Sequence, residues 1–171
     1  MVSKKIQEIL ELHPFVGSYS TDGKGRNLTL DEKSRVCIPT DLRLIIQERR
    51  WIVDYMLLDM ALESSKGKTH SELELMIQQK KAVVDSEPDK SLVYVSSGEE
   101  CGVPYILVTD VPLQLGIDPK QISAKVMDKQ GRITLGEFAR RTGLEKEVVF
   151  FGNIDHIRVY SAANWERYSA K

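Results

Sequence analysis

The sequence predicts an α+β fold: two tandem copies of a β-hairpin/helix/β-hairpin unit, with a helical hairpin inserted in the first copy. Three observations carry this. The pentad Asp31-Glu32-Lys33-Ser34-Arg35 returns as Asp128-Lys129-Gln130-Gly131-Arg132, each time between short extended runs. Apolar residues recur at helical spacing from Thr40 to Val84 without a proline. The 171 residues, 42% hydrophobic, suffice for one core or for two small half-domains that share one. The expected division is 1–113 for the first half, with the helical hairpin at about 40–84, and 114–171 for the second.

In chain order, Ser3–Leu12 brings Ile6, Ile9 and Leu10 to one side of a short helix that ends before Pro14. Phe15–Ser20 alternates as a strand, and Thr21–Asn27 is a turn by composition, with Lys24 and Arg26 on glycine-rich backbone. After the first pentad, Val36-Cys37-Ile38 leads to Pro39, which presets a first helical turn that also holds Asp41. The stripe through Leu42, Ile45, Ile46, Trp51, Tyr55, Met56 and Met60 makes a long helix that Ser64–Lys68 stops; packing between helices accounts for such a stripe better than a ligand pocket does. Ser71-Glu72-Leu73-Glu74 reads as a capping box opening the second helix. Ser91–Ser96 and Tyr105–Asp110 are strands joined by a loop over Gly98–Pro104. In the second half, Leu135–Thr142 is a short helix stopped by Gly143, and Glu147–Phe151 and His156–Tyr160 form a hairpin. Ser161 caps a closing helix whose Trp165 and Tyr168 pack back on the sheet.

The pentads are where chemistry concentrates. Asp31 and Asp128 can accept hydrogen bonds from turn amides, which leaves the cations projecting from a fixed corner. Arg35 and Arg132 carry the planar fork that grips a phosphate or spans guanine O6 and N7, while Lys33 and Lys129 suit phosphates as point charges. Asp-x-x-x-Arg also arises as an ion pair within a solvated hairpin, and spacing alone leaves both readings open. Arg43 and the Arg49-Arg50 pair are candidate secondary phosphate contacts, with a solvated helix face as the better reading for all three.

Leu30–Arg43 (LDEKSRVCIPTDLR) and Met127–Glu166 resemble the two halves of MraZ, a family of bacterial transcription regulators related to the AbrB swapped-hairpin DNA-binding proteins. The second half matches over nearly its full length, down to the Gly143–Phe150 run and the aromatic helix with Trp165. Two departures stand out: Ser34 replaces the usual glycine, so that the first turn is expected to differ, and no proline follows the second exit strand. The resemblance implies a swapped-hairpin or double-psi barrel type of fold. It also implies sequence-specific binding of double-stranded DNA at promoter repeats of the division and cell-wall gene cluster, through Asp31, Lys33, Arg35, Asp128, Lys129 and Arg132. A homo-oligomeric ring in the cytoplasm, associated with the nucleoid, goes with it. The alternative is an oligomeric protein-interaction scaffold of the same fold that no longer binds DNA.

Composition bounds the rest. A net charge of −1 and a pI near 6.3 argue against indiscriminate coating of nucleic acid, but not against a few cationic corners on a neutral body. No apolar run approaches the roughly 20 residues of a membrane span, and the first residues lack the apolar stretch of a signal peptide. Cys37 and Cys101 read as reduced structural thiols. His13, His70 and His156 lack metal-ligand spacing, and no nucleophile or nucleotide motif appears, so neither an enzyme, a cofactor, a metal nor a small-molecule substrate is expected.

Overall fold

Two antiparallel sheets organise the described residues. The structure, a computed structural model, describes residues 8, 10–20, 28–50, 67, 69, 71, 72, 75, 91–110 and 117–171. Along them run β1 (Ser18–Tyr19), β2 (Arg35–Cys37), α1 (residues 40–50 of a helix), β3 (Ser91–Glu100) and β4 (Val103–Thr109). A 3-10 turn at Pro119–Gln121 follows, then β5 (Ser123–Met127), β6 (Arg132–Thr134), α2 (Glu137–Arg141), β7 (Val148–Asn153), β8 (His156–Ser161) and α3 (Ala162–Ser169). The larger sheet has the order β1-β7-β8-β4-β3-β5, and β2 pairs with β6 in a separate two-stranded ribbon.

Among the described residues, four of the six strand pairings run between the two expected halves. β1 joins β7, β4 joins β8, β3 joins β5 and β2 joins β6. The segments leading into the two corners do the same. Leu30 N–H donates to Lys146 C=O (2.8 Å) and Val148 N–H to Leu28 C=O (3.1 Å), while β5 lies against the start of β3.

Strand alternation sorts side chains into two layers. On one face Ile106 and Val108 of β4 and Ile157 and Val159 of β8 meet Val36, Ile38, Leu42, Ile46, Ile133 and Leu135 in the main core. On the other, Tyr105, Leu107 and Tyr160 lie under α3, whose Trp165 and Tyr168 pack on them. Both faces of the central strands are thereby covered, so all six residues of β8 are buried. Ser161 caps α3 as expected, its Oγ accepting from Asn164 N–H at 3.2 Å.

Several boundaries differ from the sequence reading. β3 and β4 extend to a two-residue turn at Cys101-Gly102, both at positive φ (54° and 73°), so the loop expected over Gly98–Pro104 shrinks to a tight hairpin of primed-turn type. Gly152 and Asn153 belong to β7, and the turn falls at Ile154-Asp155. The helix expected at Leu135–Thr142 is regular only over Glu137–Arg141. Ser71 and Glu72 are already helical; the reciprocal cap is Thr69–Glu72, with Thr69 N–H donating to Glu72 Oε2 (2.8 Å) and Glu72 N–H to Thr69 Oγ1 (3.4 Å). Both cysteines are free thiols, Cys37 half-buried and Cys101 exposed. The turn at Thr21–Asn27 (apolar-poor, with Lys24 and Arg26), the Trp51–Met60 stripe and most of the inserted hairpin lie outside the described residues. Among the described residues, no helix is long and apolar enough to cross a membrane.

Candidate nucleic-acid interface

Each pentad folds into the same hydrogen-bonded corner. Ser34 N–H closes on Asp31 C=O at 3.0 Å, and Gly131 N–H on Asp128 C=O at 2.9 Å. Asp31 Oδ1 accepts from the amides of Lys33 and Arg35, both at 2.9 Å, and Asp128 Oδ1 does the same for Gln130 and Arg132. The second carboxylate oxygen receives the arginine Nε at 2.7 Å in both corners. The Asp-x-x-x-Arg spacing thus makes an ion pair and an amide-capped turn together. The amide of Arg35 holds the Asp31 carboxyl below its usual range, helped by the Arg35 side chain and the Lys33 amide; Asp128 is depressed by Arg132 and Gln130 in the same way.

Ser34 does not change this turn. It adopts φ 55°, where Gly131 has φ 79°, and the three distances around the carboxylate agree between the corners. Serine enters the left-handed region at a steric cost because the two Asp31 bonds and the exit strand hold the backbone there.

The pairing of the exit strands is what brings the corners together. β2 and β6 run antiparallel with Arg35 opposite Thr134, Val36 opposite Ile133 and Cys37 opposite Arg132. Flanking bonds extend the ribbon symmetrically: Ile38 N–H to Gly131 C=O at 2.9 Å, Leu135 N–H to Ser34 C=O at 2.8 Å. By alternation Val36 and Ile133 share the inner face and are buried, while Arg35, Cys37, Arg132 and Thr134 share the outer one. Arg35 and Arg132 are therefore diagonal neighbours, with a spacing of roughly 7–8 Å typical of such pairs. Their side chains keep 28% and 33% of their exposure, and Lys33 and Lys129 are exposed beside them.

The other arginines divide. Arg43 is half-buried on the first turn of α1 and donates from Nη2 to Thr40 Oγ1 at 2.9 Å. Arg49 overturns the expectation of a solvated face: it is 1% exposed. Its guanidinium forks onto Asp110 (Nε–Oδ2 2.8 Å, Nη2–Oδ1 3.2 Å), gives Nη1 to the carbonyls of Leu10 and His13 at 3.0 Å, and lies 4.7 Å from the centre of the Phe15 ring. A buried charge with these partners is an internal anchor. The stripe itself held the missed signal, because Leu42, Ile46 and Arg49 fall at i, i+4 and i+7 on α1. Arg50, beside it, is half-buried.

A second buried arginine lies under α3. Arg158 pairs with Glu100, donates from Nε to His156 Nε2 (3.0 Å) and from Nη1 to Tyr160 Oη (3.3 Å), and sits 4.4 Å from the Tyr105 ring centre. Burial works against its charge, yet Glu100 and Tyr160 outweigh it and push its pKa upward. Burial also lowers the pKa of His156, whose Nδ1 lies 2.6 Å from Asp155 Oδ1.

Residues 123–171 match the family model described as "MraZ protein, putative antitoxin-like". A protein of Cutibacterium acnes named transcriptional regulator MraZ is 30% identical over 100 residues, 48% of this chain and 70% of that relative. Proteins of the same name from Corynebacterium urealyticum and Corynebacterium jeikeium are 42% and 44% identical over 45 and 46 residues; each match spans 26% of this chain and 32% of the relative.

Proposed function

The chain belongs to the MraZ family, and from that premise we propose that it is a transcriptional regulator that binds double-stranded DNA through its two Asp-x-x-x-Arg corners. The observation that carries this reading is the shared outer face of the β2–β6 ribbon. It presents Arg35 and Arg132 side by side while Val36 and Ile133 fix the ribbon to the core. The major groove of B-DNA, ~12 Å wide, admits a two-stranded ribbon, and arginine is the residue that reads guanine there. Asp31 and Asp128 orient the two guanidiniums by holding Nε, which leaves each terminal edge to face a base or a phosphate. Lys33 and Lys129 flank them for backbone phosphates.

Two small corners on a body of net charge −1 bind weakly alone. Multiplying them in a homo-oligomeric ring over repeated promoter boxes raises affinity through effective concentration, and the resemblance points to boxes of the division and cell-wall gene cluster, read in a nucleoid-associated state in the cytoplasm. The outer strand β5, with exposed Val126 paired to exposed Leu92, is the kind of sheet edge that association covers. The two halves, 1–113 and 114–171, act in this reading as interlocked parts of one reading head.

The test is binding to the duplex upstream of the chain's own coding sequence, across a salt series, with light scattering on the same samples. Arg35→Ala and Arg132→Ala are expected to weaken binding and flatten its salt dependence while the thermal melt stays nearly unchanged, because half-exposed pairs contribute little to stability. A large loss of melting temperature with affinity intact would make them structural residues. A single chain in solution at micromolar concentration would remove the ring.

A further inference from the structure

The two corners share their hydrogen bonds but differ in what lies across them. At the second corner Gly131 is buried and its missing side chain leaves a seat for Arg43, which arrives from the other half on α1. A Cβ placed on Gly131 would stand 2.6 Å from Arg43 Nε and Nη1, and closer still to its Cδ. The guanidinium therefore rests on the turn between Lys129 and Arg132. One of its donors is tied to Thr40, and Nε is buried with no hydrogen-bond partner. Nε itself is out of reach of an incoming ligand, so a phosphate is met by the outer edge of the guanidinium, which the turn and Thr40 hold in place.

The first corner has no such arrangement. Ser34 carries a side chain where Gly131 has none, and Arg140, which stands as far beyond Asp128 as Arg43 does beyond Asp31, is exposed. We infer that Arg43 is a phosphate-binding residue of the second corner, seated by Gly131, so that the second corner meets the DNA with three cations and the first with two. This rests on the corners being the DNA-binding face. It also gives the ribbon a direction, because one end holds phosphate more strongly than the other while both present the same arginine to bases.

The experiment measures the salt dependence of binding to two duplexes, the one upstream of the chain's own coding sequence and a scrambled duplex of equal length. Arg43→Ala should make the slope of log K against log salt less steep by about 0.9 on both, as expected for one lost phosphate contact. Gly131→Ser, which copies the first corner, should reproduce that change by displacing Arg43, and the double variant should add nothing further. Arg43→Gln keeps the stem over the turn and gives the same reading should the alanine variant lose structure. If Arg132→Ala flattens the slope and neither Arg43 variant does, the inference falls and the corners stand. If the unsubstituted chain binds neither duplex, both fall.

Discussion

Arg35 and Arg132 on one side, and Arg49 and Arg158 on the other, are the same residue type put to opposite uses. The corner arginines bond to a carboxylate four residues back and keep about a third of their surface. The buried pair reach across the chain, Arg49 to Asp110 and Arg158 to Glu100, with 1% and 8% of their surface left. A corner closed within five residues can present its cation without depending on the rest of the fold, and the fold does not depend on it. Arg49 links distant segments through a low-dielectric interior, and without it the largely buried Asp110 and the Leu10 carbonyl would be left unpaired. Glu100, at 45% exposure, can fall back on water if Arg158 is lost.

The largest effect expected from this contrast is at Arg49. Arg49→Ala removes the fork from Asp110 and orphans the carbonyls of Leu10 and His13, so a loss of about 3–5 kcal/mol is expected in urea unfolding. Against a typical total of roughly 5–15 kcal/mol, this leaves a marginal fold. A loss below about 1 kcal/mol would place Arg49 with the surface pairs and erase the contrast.

Next comes pH. His156 Nε2 accepts from Arg158, so the proton of the neutral ring sits on Nδ1, toward Asp155, and a second proton would have to enter against the Arg158 guanidinium. Burial is the main cause of its lowered pKa; Arg158 adds to it, and Asp155 and Glu100 oppose it. With the folded value below the ordinary 6.5, the unfolded chain takes up the proton first. Stability from this group is therefore full above about pH 6.5 and falls as the pH drops toward the folded pKa. Unfolding midpoints measured from pH 8 to pH 5 (roughly the span over which His titrates) should show that decline, and His156→Gln should flatten it. Glu100, lowered chiefly by its bond from Arg158, contributes in a separate window, lost only below its ordinary 4.5.

The same division explains what could be read in the sequence. The corners were legible because their carboxylate bonds close within Asp31–Arg35 and Asp128–Arg132, and the Ser161 cap was legible because its bond to Asn164 spans three residues. The ribbon was not: Val36 faces Ile133 through a pairing between distant segments, and three-residue strands carry too little pattern to name a partner. Arg49 was misassigned because its charge outweighed its place on the apolar stripe. At the second helix of the insertion the sequence holds two overlapping caps, Thr69-x-x-Glu72 and Ser71-x-x-Glu74. The turn at Gly67, with φ 106°, precedes the one that forms.

The smallest effect sharpens the contrast most, because it lies wholly inside one corner. Ser34 holds φ 55° with the same Asp31 bonds that Gly131 makes possible at Asp128 without strain. An L-residue in that region costs roughly 1–2 kcal/mol, and a glycine there returns about 0.4–1 kcal/mol to the unfolded chain as entropy. Ser34→Gly should therefore stabilise the protein by about 0.5 kcal/mol, a shift of roughly 1–2 °C for a chain of this size. Amide exchange should change only around Asp31–Arg35, since the corner closes on itself. Exchange that also changed at Leu135, whose amide bonds to Ser34 C=O, and onward into β6 would show the corner coupled to the ribbon. In that case the two classes of arginine would be less separate than their exposures suggest.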